Sequence, residues 1–158
     1  MNILAVDPGT TQSAIVQYSP DRVGNGGTPS NTTVMQTLID ETQSDLLAIE
    51  MVASYGMPVG AEVFETCVWI GRFIQAWYPR RVRIVYRKDV KMTLCGSMKA
   101  NDANIRQAII DLYGGKEIAI GKKKSPGSLY GMKGDQWAAL AVAITAERAE
   151  KIEAGIAK

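Results

Sequence analysis

Ile3-Leu4-Ala5-Val6-Asp7-Pro8-Gly9-Thr10-Thr11 opens the chain, and after Gln12 a second apolar run, Ser13-Ala14-Ile15-Val16, follows. An apolar run, a Pro/Gly/Thr turn and another apolar run predict a hairpin-like pair of strands with a short loop. Asp7 then closes the first strand. A carboxylate at the end of a buried strand is poorly hydrated, so a cation or several hydrogen-bond donors must stand near it. Two roles are open: a turn cap accepting from the Gly9 or Thr10 amide, or a ligand for a hard cation.

The chain has 158 residues, enough for one domain with a proper core. Its composition, 46% hydrophobic and 22% charged, is that of a globular protein. No apolar run reaches the ~20 residues of a membrane span, and the start carries no charged leader, so the cytoplasm is the expected compartment. Cys67 and Cys95 lack metal-ligand spacing and are expected as reduced core thiols. There is no histidine. Ser-His-Asp and Cys-His machinery is therefore excluded, as is an imidazole-ligated metal. Any catalysis must be carried by carboxylates. Net charge is only +2, but Lys and Arg cluster in Arg80-Arg81-Val82-Arg83, Arg87-Lys88, Lys91, Lys99 and Lys122-Lys123-Lys124, a pattern that fits a polyanion partner.

Past Tyr18, the Pro- and Gly-containing segment from Ser19 to Asn31 reads as a loop, and Thr32 to Leu38, rich in β-branched residues, as a third strand completing an antiparallel meander. Leu46 to Val52 is a continuous apolar run, the signature of a strand buried on both faces. Glu50 lies at its end as Asp7 does in the first. Two carboxylates at one sheet edge repel and call for protonation or a shared cation. From Ala61 to Tyr78 the period becomes helical, with Val63, Cys67, Ile70, Ile74 and Trp77 forming the stripe expected to pack on the sheet. Trp69 and Phe73 fall on another side, to seat a loop or to meet a second subunit. Val82 to Tyr86 predicts a further strand, followed by a basic helical segment through Lys91 and Leu94. A helix starts near Asn101-Asp102, with Asp102 expected as its N-cap. Lys116 to Gly134 reads as a long loop, and a last helix runs from about Asp135 to near Glu153. Asp135 suits an N-cap, but a helix docked on the sheet also aims its first residue at the strand ends bearing Asp7 and Glu50. Tyr55, in a Ser-Tyr-Gly-Met-Pro loop, is expected to pack on the neighbouring helix, with base stacking as the alternative.

The string Ile3 to Thr11, the strand Leu47-Ala48-Ile49-Glu50, the segment Val90-Lys91-Met92-Thr93-Leu94-Cys95-Gly96 and the ending Ala139-Leu140-Ala141-Val142-Ala143-Ile144 together resemble the RuvC family of Holliday junction resolvases, in a compact variant of phage or mobile-element type. The phosphate-loop-like Asp7-Pro8-Gly9-Thr10-Thr11 alone also occurs in sugar kinases and actin-like ATPases; the ordered set is more specific. The resemblance implies an α/β, RNase H-like fold: a mixed central sheet, three-stranded antiparallel meander followed by parallel strands, flanked by helices. It implies a homodimer in a bacterial or phage-infected cell, cutting four-way DNA. By position Asp7, Glu50 and Asp135 match three of the family's four catalytic acids, and Lys91 matches a basic residue near the junction. The fourth acid is expected one turn after Asp135, where this chain has Ala138. Asp102 stands where a second basic residue is common and is the candidate replacement for that acid.

Carboxylate-only ligation suits Mg²⁺ or Mn²⁺. Two such ions can activate the attacking water and stabilise the leaving 3′ oxygen. Lys91, Lys99 and Lys122 to Lys124 are expected to contact DNA phosphates. Competing readings are an RNase H-like nuclease of other branched or RNA-containing substrates, and a weakly active DNA-binding relative.

Overall fold

The computed structural model describes residues 1–156. Its centre is a five-stranded mixed sheet whose strands lie in the order Arg22–Gly27, Ala14–Ser19, Ile3–Asp7, Leu46–Met51, Arg81–Tyr86. β1 (Ile3–Asp7) pairs antiparallel with β2 (Ala14–Ser19) and parallel with β4 (Leu46–Met51). β3 (Arg22–Gly27) and β5 (Arg81–Tyr86) form the two edges, antiparallel to β2 and parallel to β4 respectively. One face is covered by α3 (Arg87–Cys95), α4 (Asp102–Leu112) and α6 (Gln136–Glu153), the other by α1 (Asn31–Asp40) and α2 (Ala61–Trp77).

Strand alternation sorts the side chains between two cores. Ile3 and Ala5 of β1, with Leu46 and Ala48 of β4, meet α6; Leu4, Val6, Leu47 and Ile49 meet α1 and α2. Both strands therefore read as unbroken apolar runs, as strands covered on two sides must. Small residues bring α6 close: Ala139, Ala141, Ala143 and Ala146 are all fully buried. Tyr18 of β2 donates from Oη to Glu147 Oε2 at 2.7 Å, which pins the far half of α6 to the sheet, while Lys151, one turn on along the same helix, pairs with the other carboxylate oxygen at 2.6 Å.

The mixed sheet agrees with the sequence reading, but its third strand lies elsewhere. Residues 32–38 are helical, within α1, whose start is capped by Ser30 Oγ accepting from the Thr33 amide. Asn31, Val34 and Leu38 are its buried positions, a helical spacing that outweighs the β-branched composition. The meander is completed instead by β3, inside the segment read as loop. Its glycines are what an edge strand needs where a neighbour crowds it: a Cβ on Gly26 would come within 2.9 Å of the Ile15 carbonyl oxygen.

The buried seam of α2 is also rotated from the expected one. Thr66, Ile70, Phe73 and Trp77 face the sheet, and Thr66 can do so because its hydroxyl donates to the Glu62 carbonyl at 2.8 Å. Both cysteines are free, but only Cys95, half-buried, packs against the core; Cys67 is exposed and is not a core thiol. Phe73 is fully buried and cannot meet a partner subunit, while Trp69 packs beside it at 5.7 Å between ring centroids.

Most of the early basic run is used internally. Arg80 donates to the Leu38 and Glu41 carbonyls at the end of α1. Arg81 and Arg83 pair with Glu150, and Arg83 also with Glu153. The segment Lys116 to Gly134 is not a plain loop either. It holds the short helix α5 (Lys116–Ala119) and a hairpin of β6 (Gly121–Lys122) and β7 (Ser125–Pro126), with Lys123 and Lys124 at the tip.

Candidate active site

β1 and β4 run parallel with Val6 beside Ile49, so the next step in register sets Asp7 beside Glu50 at the same end of the sheet. Continuing the alternation, both project to the face covered by α6. Asp135 precedes the first residue of α6 and lies exposed at that helix's start. It occupies the N-cap position, yet its backbone is already helical (φ −70°, ψ −8°) and its side chain makes no capping hydrogen bond. The turn after β1 does not use Asp7 as its cap. The Gly9 amide donates to Ser13 Oγ at 3.1 Å, Ser13 Oγ donates to Asn31 Oδ1 at 2.6 Å, and Asn31 Nδ2 donates to the Gly9 carbonyl at 2.9 Å. Ser13 and Asn31, both buried, thus fasten the loop behind Asp7 and leave its carboxylate out of the turn's hydrogen bonding.

Burial, then the charge of Glu50, then that of Asp135, push the Asp7 carboxyl up to about 7; Arg87 opposes this and Asp102 adds to it. Glu50 is likewise raised, first by burial, with Arg87 lowering and Asp102 raising. The four acids and one arginine form one electrostatic cluster, assembled from the ends of β1, β4 and β5 and the starts of α3, α4 and α6. Among the described residues no three acidic or thiol side chains are grouped to hold a metal ion as they stand. The donor chemistry nevertheless fits one. The ligands on offer are carboxylate oxygens only, and burial together with the charges of Glu50 and Asp135, only partly offset by Arg87, keeps a proton on Asp7 near neutrality.

Asp102 is not the helix cap. Asn101 accepts from the Asn104 amide at 3.0 Å and closes a capping box with it, so Asp102, one step on, is left to pair with Arg87. Arg87 itself stands at the junction of β5 and α3, and its pairing with acids distant in sequence has no local signal. Ala138 sits half-buried on α6, three residues after Asp135. Lys91 Nζ donates to the Met98 carbonyl at 3.4 Å, while Lys99 and Lys122 to Lys124 are exposed. Tyr55 does not pack on the neighbouring helix: it is 60% exposed, with φ +47°, in the loop that follows β4.

No family model matches the sequence, and no curated protein matches it. Among solved structures, T. thermophilus RuvC in complex with a Holliday junction substrate superposes with a TM-score of 0.74 at 16% identity, over 100% of this chain and 98% of that one. A second structure of Thermus thermophilus RuvC gives 0.71 at 17% identity, over 100% and 99%. The chain has the RuvC fold. In that fold, which is RNase H-like, the antiparallel β1-β2-β3 meander is extended by parallel β4 and β5, and the sheet is flanked by helices on both faces. Among the described residues, no helix is long and apolar enough to cross a membrane.

Proposed function

We propose that this chain is a metal-dependent endonuclease that resolves four-way DNA junctions. The observation that carries the reading is the placement of Asp7 and Glu50 at adjacent parallel strand ends, facing the α6 start that bears Asp135, in a fold matched along its whole length by a RuvC solved on a Holliday junction substrate.

Asp7, Glu50 and Asp135 would hold divalent ions, Mg²⁺ or Mn²⁺, which when bound supply an activated water and positive charge against the phosphodiester oxygens. The residues around them do the rest. The Ser13–Asn31 clamp holds the loop behind Asp7, so the carboxylate is presented in one place. The exposed end of α6 directs its positive dipole toward the acids and an approaching phosphate. Because Asp7 keeps its proton up to about pH 7, ligation there releases a proton, and cleavage declines as the pH falls below neutral.

Lys99 and the lysines of the β6-β7 hairpin bind phosphates along the junction arms, with Lys91 closer to α4. Two active sites are needed to cut opposing strands symmetrically, so the working form is a homodimer. Its contact is the outward face of α2, where Phe64 and Val68 are 64% and 62% exposed and Tyr78 extends the strip.

The substitutions Asp7→Asn, Glu50→Gln and Asp135→Asn test the assignment. Each preserves shape and removes charge, so each slows cleavage of a synthetic junction by at least about a hundredfold while junction binding, read by fluorescence anisotropy, stays near that of the parent. A folded variant that still cuts removes its residue from the site.

A further inference from the structure

The acid cluster contains a cation of its own. The Arg87 guanidinium lies between two carboxylates from different elements: Nη1 is 3.8 Å from Glu50 Oε2, and Nη2 meets Asp102 Oδ1 directly. The two partners are unlike. The Glu50 side chain is 14% exposed and sits at the sheet edge beside Asp7, whereas that of Asp102 is 88% exposed and has solvent on its other sides.

A guanidinium with both terminal nitrogens turned to carboxylates is placed to neutralise them rather than to reach for a distant phosphate. Its contacts also differ in length and in surroundings. The longer is to the buried acid that would ligate metal, the closer to the exposed acid that would not. Arg87 can therefore give up Glu50 without leaving the site, because Asp102 retains it.

We propose that Arg87 is the built-in counter-ion of this cluster: it neutralises Glu50 when no divalent ion is bound, competes with that ion for Glu50, and withdraws onto Asp102 when the ion enters. Arg87 and Asp102 are then positioning residues, and Asp102 acts by receiving Arg87 rather than as the fourth ligand. The inference rests on the metal-nuclease reading above. It adds that the natural sequence binds metal more weakly than its carboxylates alone would. A unit positive charge within several ångströms of a divalent ion weakens binding by about tenfold or more at protein-like dielectric.

Mn²⁺ titration by calorimetry, without DNA and at pH 8.5, where the acids are ionised, tests this on the full chain. Arg87→Gln is expected to bind Mn²⁺ at least about tenfold more tightly than the parent, and to melt at a lower temperature than the parent without metal, a deficit that saturating Mn²⁺ removes. Arg87→Lys, which keeps the charge, should bind Mn²⁺ like the parent. A parent that binds Mn²⁺ and a folded Arg87→Gln that binds no better overturn the counter-ion role alone. Absence of binding in both overturns the metal-nuclease reading and this inference together. A second measurement needs no charge-removing variant. The Arg87 Nε–H resonance of the parent, assigned by its loss in Arg87→Lys, should shift saturably with Mg²⁺ along the binding curve; a resonance that stays fixed through saturation overturns the proposal.

Discussion

Asp7 is held at odds with its own charge. Its carboxyl is raised from 3.8 to about 7 by burial, Glu50 and Asp135, so the folded protein holds a proton there that the unfolded chain has released. Below about pH 4 both states are protonated and nothing is lost. Between there and about pH 7 stability falls as the pH rises, and above about pH 7 the full penalty applies, on the order of a few kcal/mol. Asp7→Asn removes it. In EDTA, the Asn variant should melt above the parent at pH 8 and with it at pH 4; a variant less stable at pH 8 would show that Asp7 is structurally required. Asp7, Glu50 and Asp135 were legible because each follows or precedes an apolar run whose periodicity places it at an element end. Arg87 was not, since its partners Glu50 and Asp102 are distant in sequence and become neighbours only through β4-β5 pairing and the docking of α4. Asp102 was misplaced by one residue because Asn101 is an equally good cap and takes the role.

At the scale of elements, the β6-β7 hairpin turns a lysine run into a shaped feature. A Cβ on Gly127 would collide with the Ile118 and Ala119 carbonyls. The Gly127 amide donates to the Ile120 carbonyl at 2.9 Å and the Leu129 amide to that of Ala119 at 2.8 Å, with Leu129 buried at the root. Lys122 to Lys124 are thus presented on a closed hairpin rather than on a loose loop. Replacing all three by alanine should weaken junction binding and flatten its salt dependence by up to ~0.9 in log-log slope for every phosphate the lysines had neutralised; anisotropy titrations across a salt series would detect it, and an unchanged slope would leave the run a solvated tip. The periodic signal located β1, β4, β5 and the ends of α2 and α6 closely. It failed where tertiary context overrode composition: residues 32–38 form α1 despite their β-branched residues, and the glycines of β3 concealed an edge strand. The stripe of α2 was right at Ile70 and Trp77 and misread by one position between and before them: the sheet takes the larger Phe73 in place of Ile74, and Thr66 in place of Cys67 because Thr66 satisfies its own hydroxyl.

At the scale of the whole molecule, the α2 face bearing Phe64, Val68 and Tyr78 is the apolar surface that a second copy would cover. Phe64→Asp with Val68→Asp should leave the chain folded, since both residues are outside its core, and should shift the sedimentation coefficient from dimer to monomer at micromolar concentration, with melting lowered only by the loss of association. A parent that sediments as a monomer would remove the dimer. Of the two residues the sequence offered for a subunit contact, Phe73 is taken by the core instead, because helical spacing alone does not say which of two apolar strips the sheet takes. The most direct test of the chain as a junction resolvase is cleavage of a synthetic four-way junction beside a linear duplex of the same sequence, each with and without Mg²⁺ or Mn²⁺. The expected result is paired, symmetric nicks in the junction, dependent on the ion, with the duplex left intact. Equal cutting of the duplex, or an intact junction under every condition, would contradict it.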